Sequence, residues 1–314
     1  MRIEFTQALH HILENDPRSV FISGDLGFKA FEKIQEAFGK RFLNAGVAEQ
    51  NMVGLGAGFS YTGLRPWLYS IVPFITLRCL EQIRNDICLH NLPVHIVGNG
   101  GGYTYGIMGG THHALEDLGI LKGLPNMTLF FPCENNQVEA HVQNIQRTLS
   151  PTYLRLAISG FQSSMPVLEE NPETLTRHYN RGSKITLIGM GHALQLLIPT
   201  LEILKSSGVN PDLFGISKFP FQLEKDLALT ESVRKTGKVL VVEEHYKTGG
   251  MGESLQASLE MAVPFKILAP YYFRGQRYGS PRFHLGQCRM DPENIAMQIL
   301  EFIKSENEAS HHET

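Results

Sequence analysis

A glutamate followed by a glycine-crowded stretch is the first feature of the sequence that could carry chemistry. The stretch that begins at Asn44 reads NAGVAEQNMVGLGAG, so that Glu49 precedes Gly54, Gly56 and Gly58. A carboxyl group can donate or accept a proton in catalysis. Because glycine destabilises helices, the three glycines predict that another surface packs closely against this segment. A structural role is the alternative, since a glutamate near a helix N-terminus is favoured by the helix dipole.

Two adjacent histidines and a glycine-rich loop form a second region of this kind. His112 and His113 follow the sequence GGT, and the loop from Gly98 to Tyr105 reads GNGGGYTY. A neutral imidazole suits the transfer of a hydroxyl proton near pH 7, although adjacent histidines also occur as a plain loop feature. The backbone amides of such a loop could hold a phosphate, but the P-loop lysine and the dinucleotide spacing are both missing.

Metal binding is the third chemistry that the residue types suggest. The run Glu243-Glu244-His245 contains three side chains of metal-binding types. Neighbouring residues of a strand point to opposite faces of the sheet, so these three cannot easily converge on one ion. The four cysteines are scattered, without a Cys-x-x-Cys pair or a zinc-type spacing to histidine. We therefore predict no metal site on this chain, and buried, reduced cysteines.

The overall composition is that of a well-packed globular protein. Of the 314 residues, 42% are hydrophobic and 19% are charged, and the formal net charge is −3. The chain has no excess of positive charge that would attract phosphate backbones or anionic lipids. Nucleic acids and membranes are therefore not expected partners. The N-terminal segment lacks the apolar core of a signal peptide, and no stretch is apolar enough to span a bilayer. We expect a cytoplasmic protein.

The elements that would position these groups alternate between helix and strand. In the first half, LPVHIVG, MTLFFP and TYLRLAI are apolar without alternation, which is typical of strands buried on both faces of a parallel sheet. A helix is predicted for LRCLEQIRNDICLH, residues 77–90, from an apolar stripe at helical spacing that begins at Leu77. The pattern predicts an α/β fold.

A second α/β unit follows a loose connection. Residues 161–182 contain turn and capping residues without a sustained apolar period. Beyond them, KITLIGMG, VNPDLFGI and KVLVVEEH predict strands, and HALQLLIPTLEILKSSG predicts a helix. We predict two domains, residues 1–160 and 183–314, joined by that linker. Each is expected to contain a mostly parallel sheet flanked by helices.

An ordered set of motifs resembles the transketolase family. The motifs are SGDLG, NAGVAEQNMVGLGAGFSYTGLRPW, LEQIRNDI, GGTHHALEDLGILKGLPNMTLFFPCENNQVEA and VVEEHYKTGGMGESL. They follow one another at the family's spacing over nearly the whole chain, from the pyrimidine-binding domain to the C-terminus. The resemblance implies a thiamine diphosphate-dependent transferase that moves a two-carbon ketol unit from a ketose donor to an aldehyde acceptor.

The resemblance also implies which residues contact the cofactor. Glu49 matches the family's catalytic glutamate, which hydrogen-bonds a ring nitrogen of the aminopyrimidine and needs a buried, partly protonated carboxyl group. Asp25 and Leu26 match an Asp-Leu pair of the pyrimidine-binding domain and are further cofactor-binding candidates. The aromatic residue that stacks on the pyrimidine corresponds to Phe74, whereas an alignment without gaps would place Ile71 there.

Residues that face the substrate are implied as well. His112 matches the histidine of a Thr-His-Gln motif that faces the substrate in the family, so it is preferred to His113 as a catalytic residue. Tyr103 belongs to the glycine-rich loop, which is unusually aromatic for the family. We therefore predict a reshaped pocket mouth, with Tyr103 as a substrate-binding candidate.

Two departures from the family concern charged groups. Members that act on sugar phosphates have an aspartate and an arginine where this chain has Met108 and Ile158. Arginine commonly binds a phosphate through two parallel N–H donors. Its absence argues against a phosphorylated acceptor that is bound as in those family members. Arg155 lies nearby in the sequence and is the substitute substrate-binding candidate. The sequence names neither the donor nor the acceptor.

A missing motif implies a partner chain. The family's diphosphate site uses a Gly-Asp-Gly motif and a later asparagine to hold Mg²⁺ against the phosphates. This chain has only Gly24-Asp25-Leu26-Gly27, which matches a different part of the family. The resemblance therefore implies that the magnesium ligands lie on a separate N-terminal, diphosphate-binding subunit. It further implies a heterotetramer with two copies of each chain.

Two alternatives remain open. The β-subunit of a 2-oxo acid dehydrogenase shares the glutamate motif, the two domains and the need for a partner. A non-catalytic scaffolding subunit could keep the fold after losing its chemistry, although the retained Glu49 argues against it.

Overall fold

Two sheets, each with helices packed on it, organise the chain. The structure is a computed structural model that describes residues 1–27, 29–271 and 278–312, with side chains described as far as Ser305. The first half contains α1 (Arg2–Asn15), β1 (Ser19–Ser23), α2 (Glu32–Phe38), β2 (Phe42–Asn44), α3 (Glu49–Tyr61), β3 (Arg65–Ile71), α4 (Val72–Ile75), α5 (Leu80–Gln82), β4 (His95–Asn99), α6 (Asp117–Leu121), β5 (Thr128–Phe130), α7 (Val138–Arg147) and β6 (Thr152–Leu156).

The second half continues this alternation after a pair of short strands. It contains β7 (Glu169–Glu170), β8 (Arg177–Asn180), β9 (Thr186–Met190), α8 (Leu194–Ser206), β10 (Asp212–Ile216), β11 (Lys218–Phe219), α9 (Leu227–Thr236), β12 (Val239–Glu243), α10 (Met251–Ser258), β13 (Phe265–Leu268), α11 (Pro281–Gln287) and α12 (Pro292–His312). No helix among the described residues combines the length and the apolar character that crossing a membrane requires.

The first sheet has the strand order β11-β5-β6-β4-β3-β1-β2. All of its pairings are parallel except that of β11 with β5. Ser23, Tyr69, Val97 and Leu154 lie in one row across β1, β3, β4 and β6. The carboxyl ends of these strands therefore share one edge, which is where ligands bind in open α/β sheets.

The second sheet has the order β13-β12-β9-β10-β8-β7. Its pairings among β13, β12, β9 and β10 are parallel, whereas β8 runs antiparallel to β10 and β7 runs antiparallel to β8. Both sheets are thus mostly parallel and carry helices, as the sequence predicted. The strands β7 and β8 lie within residues 161–182, where a loose connection was expected, because their short polar sequences EE and RHYN show no apolar period.

Backbone hydrogen bonds also connect the two halves of the chain. The strand β11 directly follows β10 of the second sheet, yet it pairs with β5 of the first sheet. One apolar core accordingly includes Leu129 and Phe131 of the first half together with Ile188 and Phe214 of the second. The carboxyl edge of the first sheet is therefore held close to the second sheet.

The helix expected over residues 77–90 is shorter and less regular than predicted. The α-helix α5 covers three residues and continues as a π-helical turn over Ile83–Cys88. Ile83 and Ile87 are buried, as the apolar stripe indicated, but Leu77 precedes the helix and is largely exposed. The wider π turn changes the angular spacing of side chains, so a stripe drawn at α-helical spacing does not hold throughout.

Candidate active site

The site is built where α3 starts beneath the carboxyl edge of the first sheet. Glu49 is the first residue of α3, and only 2% of its surface is exposed. The hydroxyl of Ser70, near the end of β3, donates a hydrogen bond of 3.2 Å to Oε1 of Glu49. Nη1 of Arg78 donates to Oε2 at 2.6 Å, which forms an ion pair. Both carboxylate oxygens of this buried group therefore have partners.

The glycines of α3 have two different environments. A Cβ at Gly56 would lie 2.9 Å from Cδ1 of Leu68, so α3 packs against β3 too closely for a side chain at that position. This contact confirms the predicted close approach. Gly54 and Gly58 instead face open space in this chain. Nothing within the described chain explains why these two positions lack a side chain.

An aromatic ring and an imidazole are connected to Glu49 through Arg78. The guanidinium carbon of Arg78 lies 4.5 Å from the centre of the Phe74 ring. The imidazole of His112 approaches the same ring edge to face, at a centroid distance of 5.1 Å, and lies 5.9 Å from the ring of Tyr105. Arg78 thus links Glu49 to Phe74, and His112 contacts Phe74, although these residues come from separate segments.

Ile71, Asp25 and Leu26 lie at or just after the carboxyl ends of β3 and β1. Ile71 is the last residue of β3, is half-buried and directly precedes α4. Asp25 is exposed, adopts a left-handed backbone conformation with φ of 58° and accepts a hydrogen bond of 2.8 Å from the side-chain amide of Asn44. Asp25 and Leu26 line a cavity of about 200 Å³. The Asp25–Asn44 contact ties the loop after β1 to the segment that leads into Glu49.

The second histidine is part of a buried aromatic cluster. His113 and Tyr103 are both buried, and their rings meet edge to face with centroids 4.9 Å apart. The imidazole of His284, from α11, stacks on Tyr103 at 4.8 Å. His113 and His284 each place Nε2 at 3.2 Å from the carbonyl oxygen of Gly106. This cluster fastens the glycine-rich loop to the second half. Tyr103 also lines a cavity of about 430 Å³ beside α11, and its substrate-binding role stays a prediction.

Arg155 lies in the interior, among protein groups. Its Nη2 donates to the carbonyl oxygens of Ala114 at 2.7 Å and Glu244 at 3.1 Å, and its Nε lies 3.2 Å from Oδ2 of Asp117. A Cβ at Gly101 would overlap the guanidinium, which explains one glycine of the loop. A substrate-binding role for Arg155 also stays a prediction. It would require the guanidinium to leave these partners.

The two positions that depart from the family pattern present apolar surface. The exposed fractions are 48% for Met108 and 40% for Ile158. A Cβ at Gly100 would overlap the ring of Tyr105 and lie 3.4 Å from Cδ1 of Ile158, so the loop packs tightly at this point. The region around the carboxyl end of β4 is therefore lined by aromatic and aliphatic groups.

The run Glu243-Glu244-His245 is structural in this chain. Glu243 accepts hydrogen bonds from the backbone amides of Met251 and Gly252 at the start of α10, and burial raises its pKa to about 7. Glu244 pairs with His192, whereas Nε2 of His245 accepts from the amide of Gly119 at 2.9 Å. Across residues 1–27, 29–271 and 278–305, no three His, Cys, Asp or Glu side chains are placed to hold a metal ion.

Arg78 and Ser70 are site residues that the sequence did not predict. Arg78 follows Phe74 by four residues, a spacing that puts two side chains on one face of a helical turn. That spacing, with a cation and an aromatic ring, was the available signal. Ser70 offered none, because its hydroxyl reaches Glu49 through the pairing of β3 in the sheet rather than through nearby sequence.

The arrangement fits a planar heteroaromatic ring with hydrogen-bonding nitrogens. A buried carboxyl group can bind a ring nitrogen, the Phe74 face can stack on a ring, and an imidazole stands at the edge. The fold and the site therefore define an α/β protein whose mostly parallel sheet could hold a heteroaromatic cofactor at its carboxyl edge. The described residues that surround Glu49 offer no cluster of oxygen ligands for a divalent cation.

Matches to protein-family models identify the family of this chain. Residues 1–159 match the model of the transketolase pyrimidine-binding domain, and residues 176–272 match that of the transketolase C-terminal domain. The chain therefore belongs to the transketolase family. The predicted resemblance is confirmed.

Individual relatives agree with this assignment. The chain is 27% identical over 311 residues to one of the subunits of the apulose-4-phosphate transketolase of Phocaeicola vulgatus, covering 96% of this chain and 97% of that protein. It is 29% identical over 283 residues to 1-deoxy-D-xylulose-5-phosphate synthase of Microcystis aeruginosa, covering 88% of this chain but 43% of the synthase. A solved split-gene transketolase, in an inactive β4 tetramer, superposes with a TM-score of 0.83 at 26% identity, covering 96% of this chain and 98% of the other.

Together, the fold, the site and these relatives confirm the predicted type of enzyme. The chain is a C-terminal, pyrimidine-binding subunit of a thiamine diphosphate-dependent, transketolase-like transferase of the split form. The individual roles of its site residues are a separate matter, because neither the matches nor the fold assigns them.

Proposed function

We propose that this chain holds the aminopyrimidine of thiamine diphosphate, with Glu49 as its catalytic carboxyl group. In this proposal the assembled enzyme transfers a two-carbon ketol unit from a ketose to an aldehyde in carbohydrate metabolism. The observation that carries it is the buried carboxyl group of Glu49 at the edge of a parallel sheet, linked through Arg78 to the Phe74 ring that the His112 imidazole contacts. When bound, thiamine diphosphate supplies the electron sink for breaking and forming carbon–carbon bonds.

Glu49 would hold a proton at a ring nitrogen of the cofactor. Its depth excludes bulk water, and a carboxyl group can share a proton with a ring nitrogen. Ser70 holds Oε1, and Oε2, which Arg78 contacts in this structure, would be the oxygen that turns to the ring. Phe74 would stack on the ring, with Ile71, Asp25 and Leu26 as its neighbours at the same edge.

His112 would exchange a hydroxyl proton with the substrate. It is half-buried, lies against Phe74 and Tyr105, and has the hydroxyl of Thr111 at 3.0 Å from Nδ1. The hydroxyl orients the ring, which leaves Nε2 for the substrate. His113 is engaged at Gly106 and packed in the aromatic cluster, which favours His112 for this role.

A partner chain would complete the site. The magnesium and diphosphate ligands are assigned to that chain, because the described residues here form no group that could hold a metal ion. Val47, two residues before Glu49, is 78% exposed, and Gly54 and Gly58 face open space on α3. Exposed helix glycines cost stability unless another backbone approaches closely. These features support an interface with another chain, and we propose a heterotetramer with two copies of each chain.

The substrate, the domain division and the cellular location are proposed from narrower observations. The exposed apolar side chains of Met108 and Ile158 favour substrates whose far end is not held by an arginine of this chain. Relatives are named for apulose-4-phosphate and for 6-deoxy-6-sulfo-D-fructose, which are both sugar-like compounds. We propose two domains, residues 1–160 and residues 183–314, joined by residues 161–182.

The cellular location is proposed from the cysteines. All four are free and buried, which supports a cytoplasmic location.

The test is reconstitution with a diphosphate-binding chain encoded beside this one. The two chains, thiamine diphosphate and Mg²⁺ should give turnover of a ketose with an aldehyde, and neither chain should do so by itself. Decarboxylation of pyruvate without any ketose activity would instead assign the 2-oxo acid dehydrogenase function. Calorimetry that shows no cofactor binding to a confirmed complex would support a scaffolding role.

A further inference from the structure

Arg78 makes the two contacts that the proposed function assigns to the cofactor's pyrimidine ring. Its guanidinium donates to Oε2 of Glu49 at 2.6 Å, and its central carbon lies 4.5 Å from the centre of the Phe74 ring. One side chain therefore engages both the buried carboxyl group and the aromatic face.

The guanidinium resembles an aminopyrimidine in the properties that Glu49 and Phe74 can recognise. Both are flat, delocalised groups that carry N–H donors in their plane and can lie against an aromatic ring. Arg78 occupies Oε2 of Glu49 and the face of the Phe74 ring. A second planar group cannot bind there while Arg78 is in place. Arg78 and the cofactor ring therefore compete for Glu49 and Phe74.

The structure also indicates which partner of Glu49 can leave. Ser70 is fully buried within β3, so its hydroxyl is fixed on Oε1. Arg78 lies between α4 and α5, and its side chain is 44% exposed. A partly solvated guanidinium on a flexible stem can turn toward water when another donor takes its place at the buried carboxylate. The ion pair with Arg78 is therefore the contact that opens.

We propose that Arg78 gates the pyrimidine site by covering Glu49 and Phe74, and that it swings away when the cofactor ring enters. This inference rests on the proposed function of Glu49. While the gate is closed, the buried carboxylate keeps a cationic partner, which avoids the penalty of an unpaired buried charge. The apparent affinity for the cofactor is reduced by the fraction of molecules in which the gate is closed.

The test is the dissociation constant of thiamine diphosphate for the assembled enzyme of both chains, measured by titration calorimetry with Mg²⁺ present. Removing the competing guanidinium by Arg78→Gln should tighten cofactor binding by about fivefold, the effect of one partly exposed ion pair. Arg78→Lys keeps the positive charge but lacks the planar guanidinium. Its dissociation constant for thiamine diphosphate should lie between those of wild type and Arg78→Gln. Arg84→Gln is the matched control, because Arg84 is exposed on the following turn and its side chain donates to Asn85 rather than to a residue of the site.

A second readout uses this chain without its partner. Arg78→Gln should lower its melting temperature, because Glu49 loses its cationic partner, and adding Glu49→Gln should recover most of the loss. Unchanged or weaker cofactor binding by Arg78→Gln would overturn the gate while leaving the proposed function standing. A wild-type complex that binds no cofactor at all would instead remove the proposed function, and the gate with it.

Discussion

The imidazole of His112 meets the ring of Phe74 edge to face, with the ring centroids 5.1 Å apart. The two residues come from different crossover segments of the first sheet, and they meet because β3 and β4 are parallel neighbours whose carboxyl ends share an edge. Glu49, at the start of α3, is linked to Phe74 by Arg78, which contacts both residues. A proton-transfer group, a stacking surface and a buried carboxyl group thereby line one site.

The two adjacent histidines should behave differently when each is replaced by alanine. His112→Ala removes the proposed proton-transfer group and should lower kcat of the assembled enzyme by about a hundredfold, with little change in melting temperature. His113→Ala leaves a void beside Tyr103 and should lower the melting temperature instead. Steady-state kinetics and thermal melts of both variants check this. The reverse pattern would transfer the catalytic role to His113.

Phe74 and Ile71 are distinguished by cofactor affinity. The comparison is made in the Arg78→Gln background, where no guanidinium shares the aromatic face. Phe74→Leu should then weaken thiamine diphosphate binding by about tenfold, because a stacked aromatic pair contributes roughly 1 kcal/mol beyond its buried area. Ile71→Val should change it little. A larger effect at Ile71 would show that the alignment without gaps is the correct one.

Arg155 should affect stability more than substrate binding. Arg155→Met leaves the buried carboxylate of Asp117 without its cation, a change that costs on the order of 3 kcal/mol in free energy of unfolding. Denaturant unfolding measures this, and Arg181→Met, at an exposed arginine whose ion pair with Glu169 is 4.0 Å long, is the control. A raised KM with unchanged stability would assign Arg155 to the substrate.

Glu243 should make stability fall as the pH rises. Burial raises the pKa of its carboxyl group from 4.5 to about 7, against the hydrogen bonds from Met251 and Gly252. Between these values the folded state binds more protons at this group than the unfolded state does, so its contribution to the free energy of unfolding decreases toward pH 7.

Glu243→Gln removes that titration. Relative to wild type, the free energy of unfolding of this variant should rise by on the order of 3 kcal/mol between pH 4.5 and pH 7. Urea unfolding at several pH values follows the difference. A difference that stays constant across this window would show that Glu243 does not titrate there.

Local sequence patterns were sufficient to predict the parallel strands. The apolar runs of β4, β6, β9 and β12 are fully buried, and each was recognisable without its neighbours. The strand β8 was not recognisable, because its sequence RHYN is short and polar and gains its place only by pairing with β10. The strand β11 likewise depends on a partner in the other sheet.

A site residue could be predicted where a local sequence motif contained it. Glu49 was found from its own motif, and the structure places it in a buried position. The ion pair with Arg78 joins residues 29 positions apart, and the contact between His113 and His284 joins the two halves of the chain. No spacing rule for a helix or strand spans such separations, so these contacts follow only from the tertiary fold.

The most direct measurement of the central claim is cofactor-dependent turnover by the reconstituted enzyme of both chains, compared between wild type and Glu49→Gln. Glutamine keeps the shape of the side chain and cannot share a proton as a carboxyl group does. We expect ketose turnover to fall by at least about a hundredfold while the complex remains assembled, as shown by its mass in solution. Turnover near the wild-type rate in an intact complex would contradict the role of Glu49.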